Sequence, residues 1–328
     1  MIPVPGPVRP RPLRLGTRGS ILARIQSELV ADALRQAGHE VELAVVVTAG
    51  DVRAPDTAWG EGAFVGALER ALLAGDVDLA VHSAKDVPIG GDAEGRVPAP
   101  AGLVIAAYPW REDPRDALVL PSSRTVPSPA SGDPAACTDP VLPLARGARV
   151  GTDSPRRVGF LHAIRPDLAF VALHGNVDTR LRRLDAGEAD ALLLAAAGLI
   201  RLGHRARISC LVDPAIVPPA PAQGALAVQC RADDRYVRAT LEALDDPDVR
   251  LAVETEREVL RGAGGGCRAP LGALATVSAG QVDLLAGAIG TGRSPCIARS
   301  SAPADRWREL AAGASRSLLR AGFREIEA

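Results

Sequence analysis

The sequence predicts an α/β protein of two or three domains. Three observations carry that expectation. Strand-like and helix-like apolar patterns alternate along residues 13–120 and resume at Arg149. The chain has 328 residues, more than one ordinary core organises. Its hydrophobic content of 47% is that of a globular chain, not a disordered one. A β-α-β-α order implies a mostly parallel sheet covered on both faces.

Residues 1–12 are rich in Pro and Arg and lack an apolar core, so they read as a flexible leader and not a signal peptide. A short strand, Leu13-Arg14-Leu15-Gly16, follows. Ser20 then caps a helix expected to turn Ile21, Leu22, Ile25, Leu29, Val30, Ala33 and Leu34 inward, with Gly38 as its stop. Residues 41–47 form a buried-type strand. Residues 64–74 form a helix with Val65, Leu68, Leu72 and Leu73 inward, closed by Gly75. Residues 79–81 and 103–107 are further strands. The stretch 121–148 holds Pro, Ser and Ala without apolar period and reads as a surface loop carrying Cys137. Beyond it come a strand end at Arg149-Val150-Gly151, a helix opened by Ser154-Pro155, a strand over 168–173, a helix over 178–186 and a buried segment over 191–197. Residues 214–221 are a proline-rich crossing and an expected hinge. From 240 to 328 the pattern predicts a helix over 247–261, a glycine run over 262–266, strands over 271–277 and 283–288, and a closing helix over 304–321.

Composition removes several function classes. A net charge of −1 gives no global attraction to nucleic acid or membranes. Aromatic content of 3% argues against base-stacking platforms. The five cysteines are odd in number, widely spaced and without a CxxC pair, which predicts reduced thiols in a cytoplasm. Of these, Cys210, Cys230 and Cys296 sit in apolar or strand-like runs and read as structural. The apolar run 189–200 contains Asp190 and is too short to span a bilayer. No stripe is left over for a partner, so a monomer is expected.

Chemistry concentrates at a few positions. Lys85 is the one lysine of the chain, and every other basic residue of the Lys/Arg class is arginine. A lysine that escapes such a bias does something a planar guanidinium cannot. Asp86 follows it at the end of a strand-like run. Ser20, after Arg18, and Ser154, after Gly151-Thr152 and before Arg156-Arg157, each cap a helix. Open helix N-termini bind anions, and arginines beside them select carboxylates or phosphates. Arg180 and Arg201 extend the same pattern, and Gly175 with Asn176 permits close backbone approach. Arg182 and Arg183 belong to a solvated helix face. Together these residues suggest a cleft for a polycarboxylate. Cys267 follows three glycines and precedes Arg268, a bare turn with a cation that favours thiolate. His82 and His174 flank the candidate sites without metal-ligand spacing, and no phosphate-cradling glycine loop appears.

Several motifs in order resemble the hydroxymethylbilane synthase, or porphobilinogen deaminase, family. They are Arg14-Leu-Gly-Thr-Arg-Gly-Ser20 with Gln26, Val81-His-Ser-Ala-Lys-Asp-Val-Pro88, Gly151-Thr-Asp-Ser-Pro-Arg-Arg157, Gly175-Asn-Val-Asp-Thr-Arg180, Ala195-Ala-Ala-Gly-Leu199 with Arg201, Pro219-Ala-Pro-Ala-Gln-Gly-Ala225 and Gly265-Gly-Cys267. The resemblance implies three domains. Residues 13–110 with 221–239 would form the first and 111–220, with the 121–148 insertion, the second; both would be periplasmic-binding-protein-like with mixed, mostly parallel sheets. Residues 240–328 would form a smaller α+β third domain. It further implies a covalent dipyrromethane cofactor, one per chain, joined by a thioether to Cys267. Four porphobilinogen molecules would condense head to tail with loss of ammonia, and hydrolysis would free hydroxymethylbilane in the cytoplasm, without nucleic-acid or membrane partners.

Within that resemblance Asp86 is the catalytic residue, stabilising the cation left by ammonia and managing pyrrole protons. Arg18, Ser20, Ser83, Lys85, Thr152, Ser154, Arg156, Arg157, Gly175, Asn176, Arg180, Arg201 and Gln223 would bind cofactor and substrate carboxylates. Departures from the family pattern are Glu61 and Gly66 where lysines are common, His174 for an arginine, and Ala222 for the glycine before Gln223. Two other readings compete. A catalytically impaired paralogue would bind polycarboxylates without needing the Cys267 thiol. A Schiff-base enzyme would use Lys85, which Asp86 should instead keep charged.

Overall fold

The computed structural model describes residues 12–46, 65–89, 102–124, 134–140, 142–266, 269–290 and 294–323. In chain order the elements are β1 (Leu13–Thr17), α1 (Ile21–Gln36), β2 (Val41–Val45), α2 (Gly66–Ala74), β3 (Leu79–Ser83), β4 (Leu103–Ala107), β5 (Asp116–Val119), β6 (Ala136–Cys137) and β7 (Arg149–Gly151). There follow α3 (Pro155–Ile164), β8 (Ala169–Val171), α4 (Val177–Asp185), β9 (Ala191–Ala195), α5 (Ala196–Arg201), β10 (Cys210–Val212) and β11 (Leu226–Arg231). The last are α6 (Arg235–Glu242), α7 (Pro247–Gly262), β12 (Leu271–Ser278), β13 (Gln281–Ile289), β14 (Pro295–Pro303) and α8 (Trp307–Arg320).

These strands form three sheets. The first has the order β2-β1-β3-β11-β4. β1 runs parallel to β2 and β3, while β11 runs antiparallel to β3 and β4. The mixture arises because the chain leaves after β4, builds the second sheet and returns through β11. The second sheet, β6-β10-β5-β9-β7-β8, is mixed for the same reason, with β5 antiparallel to both neighbours. The third is an antiparallel meander, β12-β13-β14. α7 and α8 cover it through Val259, Leu260, Leu310, Ala314 and Leu318, all buried against Leu271, Ala273, Leu284 and Ala286.

Local chemistry explains the helix ends. Ser20 Oγ accepts from Ala23 N at 3.3 Å, and Gly75 closes α2 at φ 77°, a conformation glycine adopts without strain. The buried face of α1 differs from the expected one. Gln26, Ser27, Val30, Ala31 and Leu34 are buried, whereas Ile21 and Leu29 are exposed. Leu73 of α2 is exposed as well. α1 is rotated so that smaller or polar residues pack on the sheet, whereas α2 keeps Val65, Leu68 and Leu72 buried as expected and only replaces Leu73 by Ala71.

The expected loop over 121–148 is also corrected in part. It delivers β6, which pairs parallel with β10, and it buries Leu142 against the second sheet. Cys137 and Cys210 lie on those neighbouring strands and form a disulfide with a Cα–Cα distance of 5.6 Å, so the expectation of five reduced thiols is corrected. A separation of 73 residues hid the pair from the sequence. Cys230 and Cys296 are free, and Cys230 is buried.

Two crossings connect the first and second sheets, and they bind each other. Arg111 bridges Ala225 in antiparallel fashion, and its Nε donates to Gln223 O at 2.9 Å. Gln223 Nε2 donates back to Pro114 O at 2.8 Å, and Glu112 N donates to Gly224 O at 3.0 Å. The third sheet docks on the second crossing. Ala273 N donates to Pro219 O at 2.9 Å, and Gly272 faces Pro218 O so closely that a Cβ would lie 2.3 Å away. The proline-rich crossing is therefore anchored on its third-sheet side.

One carboxylate ties all of this together. Glu256 of α7 is fully buried. It accepts from both terminal nitrogens of Arg111 at 2.6 and 3.0 Å, from Ala222 N at 2.6 Å and from Ala275 N at 2.7 Å. Burial raises its pKa, and Arg111 with the two backbone donors works against that rise. Gly224 tests the junction. Its φ is 90°, and a Cβ there would stand 2.2 Å from Glu112 O. Left-handed strain and overpacking together should make Gly224→Ala less stable by about 2–5 kcal/mol, read from denaturant midpoints; a loss below about 1 kcal/mol would mean the crossings are not locked.

Candidate active site

β3 ends in Ser83 and runs into a single 3-10 turn, Ala84–Asp86. Lys85 Nζ donates to Gln223 Oε1 at 3.2 Å, and Asp86 stands exposed at the tip. Burial pulls the Lys85 pKa down to about 8, and Asp86 opposes the shift without cancelling it. Asp86 thus acts in the expected direction, favouring the ammonium, while burial brings its loss within reach of mildly alkaline pH. Ser83 exchanges hydrogen bonds with the Gln26 side chain at 3.0 and 3.2 Å. Behind it, His82 lies buried with Nε2 3.0 Å from Gln229 Oε1. Burial first, then the charge of Arg18, lowers its pKa to about 4, so the ring is neutral and Nε2 donates. Arg18 therefore acts at the same strand end as Ser83, beside the Ser20 cap of α1.

Across the cleft, Ser154 caps α3 by accepting from Arg157 N at 3.4 Å, with Pro155 at the first helical position. Thr152, buried below it, accepts from Ser154 N at 3.4 Å. Arg156 and Arg157 are buried, and both pair with Asp116 of β5 at 2.8 Å. Arg156 also donates to Pro218 O at 2.5 Å and Arg157 to Leu193 O at 3.0 Å. Asp116 accepts a further bond from Gln223 Nε2 at 2.9 Å. The two guanidiniums hold its carboxyl far below the usual carboxylate range despite burial. Gln223 thus links Lys85 of the first sheet to the arginines of the second.

Gly175, at φ 112°, leads into Asn176, which caps α4 by accepting from Thr179 N at 2.9 Å. Arg180 donates to Gly175 O at 2.8 Å and to Asp153 Oδ2 at 2.9 Å; burial lowers its pKa and Asp153 raises it. Arg201 donates to Gly224 O at 2.6 Å, and burial brings it to about 10. α1 and α4 meet at α5, where Gly198 lies against Leu22 and Val177. A narrow cavity opens where the sheets converge, lined by Lys85, Ser154, Arg156, Pro221, Arg257 and Gly266. Cys267 and Arg268 lie outside the described residues, as does Glu61.

A family described as "Porphobilinogen deaminase, dipyromethane cofactor binding domain" matches residues 13–239. The chain belongs to the porphobilinogen deaminase family. The porphobilinogen deaminase of Nocardia farcinica is 43% identical over 326 residues, spanning 96% of this chain and 88% of that protein. That of Acidothermus cellulolyticus is 43% identical over 322 residues, spanning 96% and 90%. A nutrient binding protein from Burkholderia cenocepacia bound to methionine aligns at 13% identity over 74% of this chain and 95% of that one, with a TM-score of 0.40.

The enzyme is a transferase of tetrapyrrole biosynthesis. It condenses four porphobilinogen molecules head to tail with release of ammonia and yields hydroxymethylbilane, using a dipyrromethane cofactor. The donors present suit such a group, whose acetate and propionate arms need cations. Lys85 and Arg156 bring positive charge to the cavity and Ser154 brings a hydroxyl at an open helix end. Among the described residues no helix is long and apolar enough to cross a membrane.

Two family departures acquire a physical account. His174 Nδ1 lies 3.3 Å from Asp153 Oδ2, so it joins the carboxylate that Arg180 uses. Ala222 adopts φ 65°, which costs a side-chain-bearing residue about 1–2 kcal/mol. Its buried methyl packs with Ala84, Val87 and Tyr108 and returns about 0.8 kcal/mol, while avoiding glycine's extra chain entropy of about 0.5–1 kcal/mol. The alanine is nearly neutral by this balance.

The sequence did not point to Asp116, Glu256, Arg111 or Arg257. Asp116 sits in the dense charge run Arg111-Glu-Asp-Pro-Arg-Asp116 just before an apolar strand, a carboxylate about to be buried. Removing one partner from a buried charge cluster costs about 3–5 kcal/mol, so Asp116→Asn should lower unfolding stability by that order in urea titrations; a change under about 1 kcal/mol would mean Arg156 and Arg157 do not depend on it.

Proposed function

We propose that the cavity among the three sheets is the place where porphobilinogen units are joined, with Cys267 as the cofactor anchor and Asp86 as the catalytic carboxylate. The observation that carries this reading is the shared lining. Lys85 of the first sheet, Ser154 and Arg156 of the second, and Gly266, which immediately precedes Cys267, border one space. When bound, the dipyrromethane supplies the pyrrole end from which the chain grows.

The chain's own residues supply the rest. Asp116 neutralises one of the two charges on Arg156 and Arg157, so one remains for substrate carboxylates. Lys85, Arg18 and Arg180, with the N-termini capped by Ser20, Ser154 and Asn176, extend that positive rim, and Arg201 lies at the crossing behind it. Asp86, exposed beside Lys85, has room to face the cation that porphobilinogen becomes on losing ammonia, and to take and return a pyrrole N–H proton. The first sheet with 221–239, the second with 111–220 and the third with 240–328 serve in this reading as three domains. A thiol-bearing glycine turn beside the cationic cavity favours catalysis over a polycarboxylate-binding paralogue. In this reading the enzyme is a cytoplasmic monomer with no nucleic-acid partner. The free Cys230 and Cys296 suit a reducing compartment and the Cys137–Cys210 bond does not.

Purified enzyme should weigh more than its residues and colour with acidic Ehrlich reagent. Cys267→Ser should abolish both signals, and Asp86→Ala should keep both while losing tetrapyrrole production. A Cys267→Ser protein that still carries the added mass would overturn the anchor, and near-normal turnover by Asp86→Ala would overturn its role.

Lys85 gives a pH signature. With a pKa near 8 the ammonium is mostly present at pH 7 and is lost as pH rises past 8. Its grip on carboxylates falls with it, so kcat/KM should drop about tenfold per unit on the alkaline side of pH 8. Lys85→Arg, which does not titrate there, should remove that limb; a limb unchanged in this variant would assign it elsewhere.

A further inference from the structure

We infer that Arg257 is a positioning residue for the catalytic turn, and that α7 thereby sets where Asp86 stands. The inference rests on the assignment of Asp86 made above. Arg257 belongs to the third sheet's covering helix, yet its guanidinium reaches the first sheet's turn. Nη1 donates to Val87 O at 2.9 Å and to Ala84 O at 3.3 Å, and Nη2 donates to Pro88 O at 3.0 Å. These three carbonyls bracket Lys85 and Asp86 on both sides. The turn itself is closed by one long backbone bond, Val87 N to Ala84 O at 3.3 Å. A single turn with so little internal hydrogen bonding does not define the direction of an exposed side chain at its tip. The planar fork of Arg257 supplies the missing restraint, since it fixes two or more acceptors at once.

Three further observations fit a positioning role. Among the described residues no carboxylate lies within ion-pair distance of Arg257, so its donors are committed to the turn's carbonyls and not to a surface ion pair. Arg257 borders the same cavity as Lys85, Ser154 and Gly266. The neighbouring Glu256 anchors the same helical turn to both crossings and to β12, so the platform from which Arg257 reaches is itself fixed. The helix then ends at Gly262, and Gly266 follows within the cavity wall. One helix thus holds the turn bearing the carboxylate and is followed within four residues by Gly266 at the cavity.

The test uses holoenzyme variants Arg257→Ala and Arg257→Lys. Both should retain the Ehrlich colour, the added mass and substrate KM, because the primer and the carboxylate sites are untouched. kcat should fall about 10²-fold in Arg257→Ala, the order expected when a reacting group is misplaced by about an ångström. Arg257→Lys should recover only part of it, since an ammonium cannot span the carbonyls as a fork does. Added methylguanidinium should raise kcat of Arg257→Ala and leave Asp86→Ala unchanged, which separates this proposal from the role of Asp86 itself. Turnover of Arg257→Ala within about twofold of the parent, or a kcat loss matched by loss of thermal stability and unrelieved by methylguanidinium, would reduce Arg257 to a structural tie and overturn the inference.

Discussion

A cleft that gathers acidic chains must keep positive charge in a dry interior, and the rest of this structure is arranged around that constraint. Two buried guanidiniums and one ammonium converge on a single carboxylate, Asp116, through direct ion pairs and through Gln223. Full neutralisation would leave nothing for a ligand. No neutralisation would make the fold untenable, because uncompensated buried charge is among the largest single penalties a protein can carry. Sharing one carboxylate satisfies the fold and leaves a surplus. Carbonyl oxygens provide the remaining hydrogen bonds, at Pro218 for Arg156, Leu193 for Arg157 and Gly224 for Arg201. Dipoles stabilise a cation without cancelling its charge, so the surplus survives.

The same economy governs how the sheets are joined. The crossings meet through backbone bridges that need Gly224 and tolerate Ala222, and Glu256 closes them against β12. In contrast to Asp116, Glu256 is fully matched, with an arginine fork and two backbone donors. Asp116 and Glu256 therefore do different work. One is saturated and locks the frame; the other is shared among cations and leaves charge at the site. The distinction is visible in their partners alone, since both are fully buried aspartate or glutamate side chains beside arginines.

Much of this was legible in the sequence, and the parts that were not share a cause. Caps at Ser20 and Ser154, the turn at Lys85-Asp86 and the glycine run before Cys267 are local signals, set by neighbours in the chain. What escaped was non-local. β11 belongs to the first sheet although about 120 residues separate it from β4, and no local pattern says so. Cys137 finds Cys210 only once β6 and β10 are paired. In α1, Ile21 and Leu29 look like core in the sequence, whereas the sheet takes the smaller surface of Gln26, Ser27 and Ala31. Glu256 could have been suspected. It falls on the stripe Ala252, Val253, Val259, Leu260 at helical spacing, where a charge must have a buried partner.

The lone lysine returns as the sharpest case. In a chain that uses arginine at every other Lys/Arg position, Lys85 sits where two guanidiniums already compete for one carboxylate. A third fork would bring five donors to a place where the lysine makes one hydrogen bond, to Gln223 Oε1. An ammonium is compact enough to make that one bond and to turn its other hydrogens toward the cavity. It can also shed its proton at modest cost, as its lowered pKa shows, while a guanidinium in the same position would carry its charge at every pH the protein survives. Burial of a further permanent charge, more than the bond to Gln223 by itself, is what disfavours arginine here.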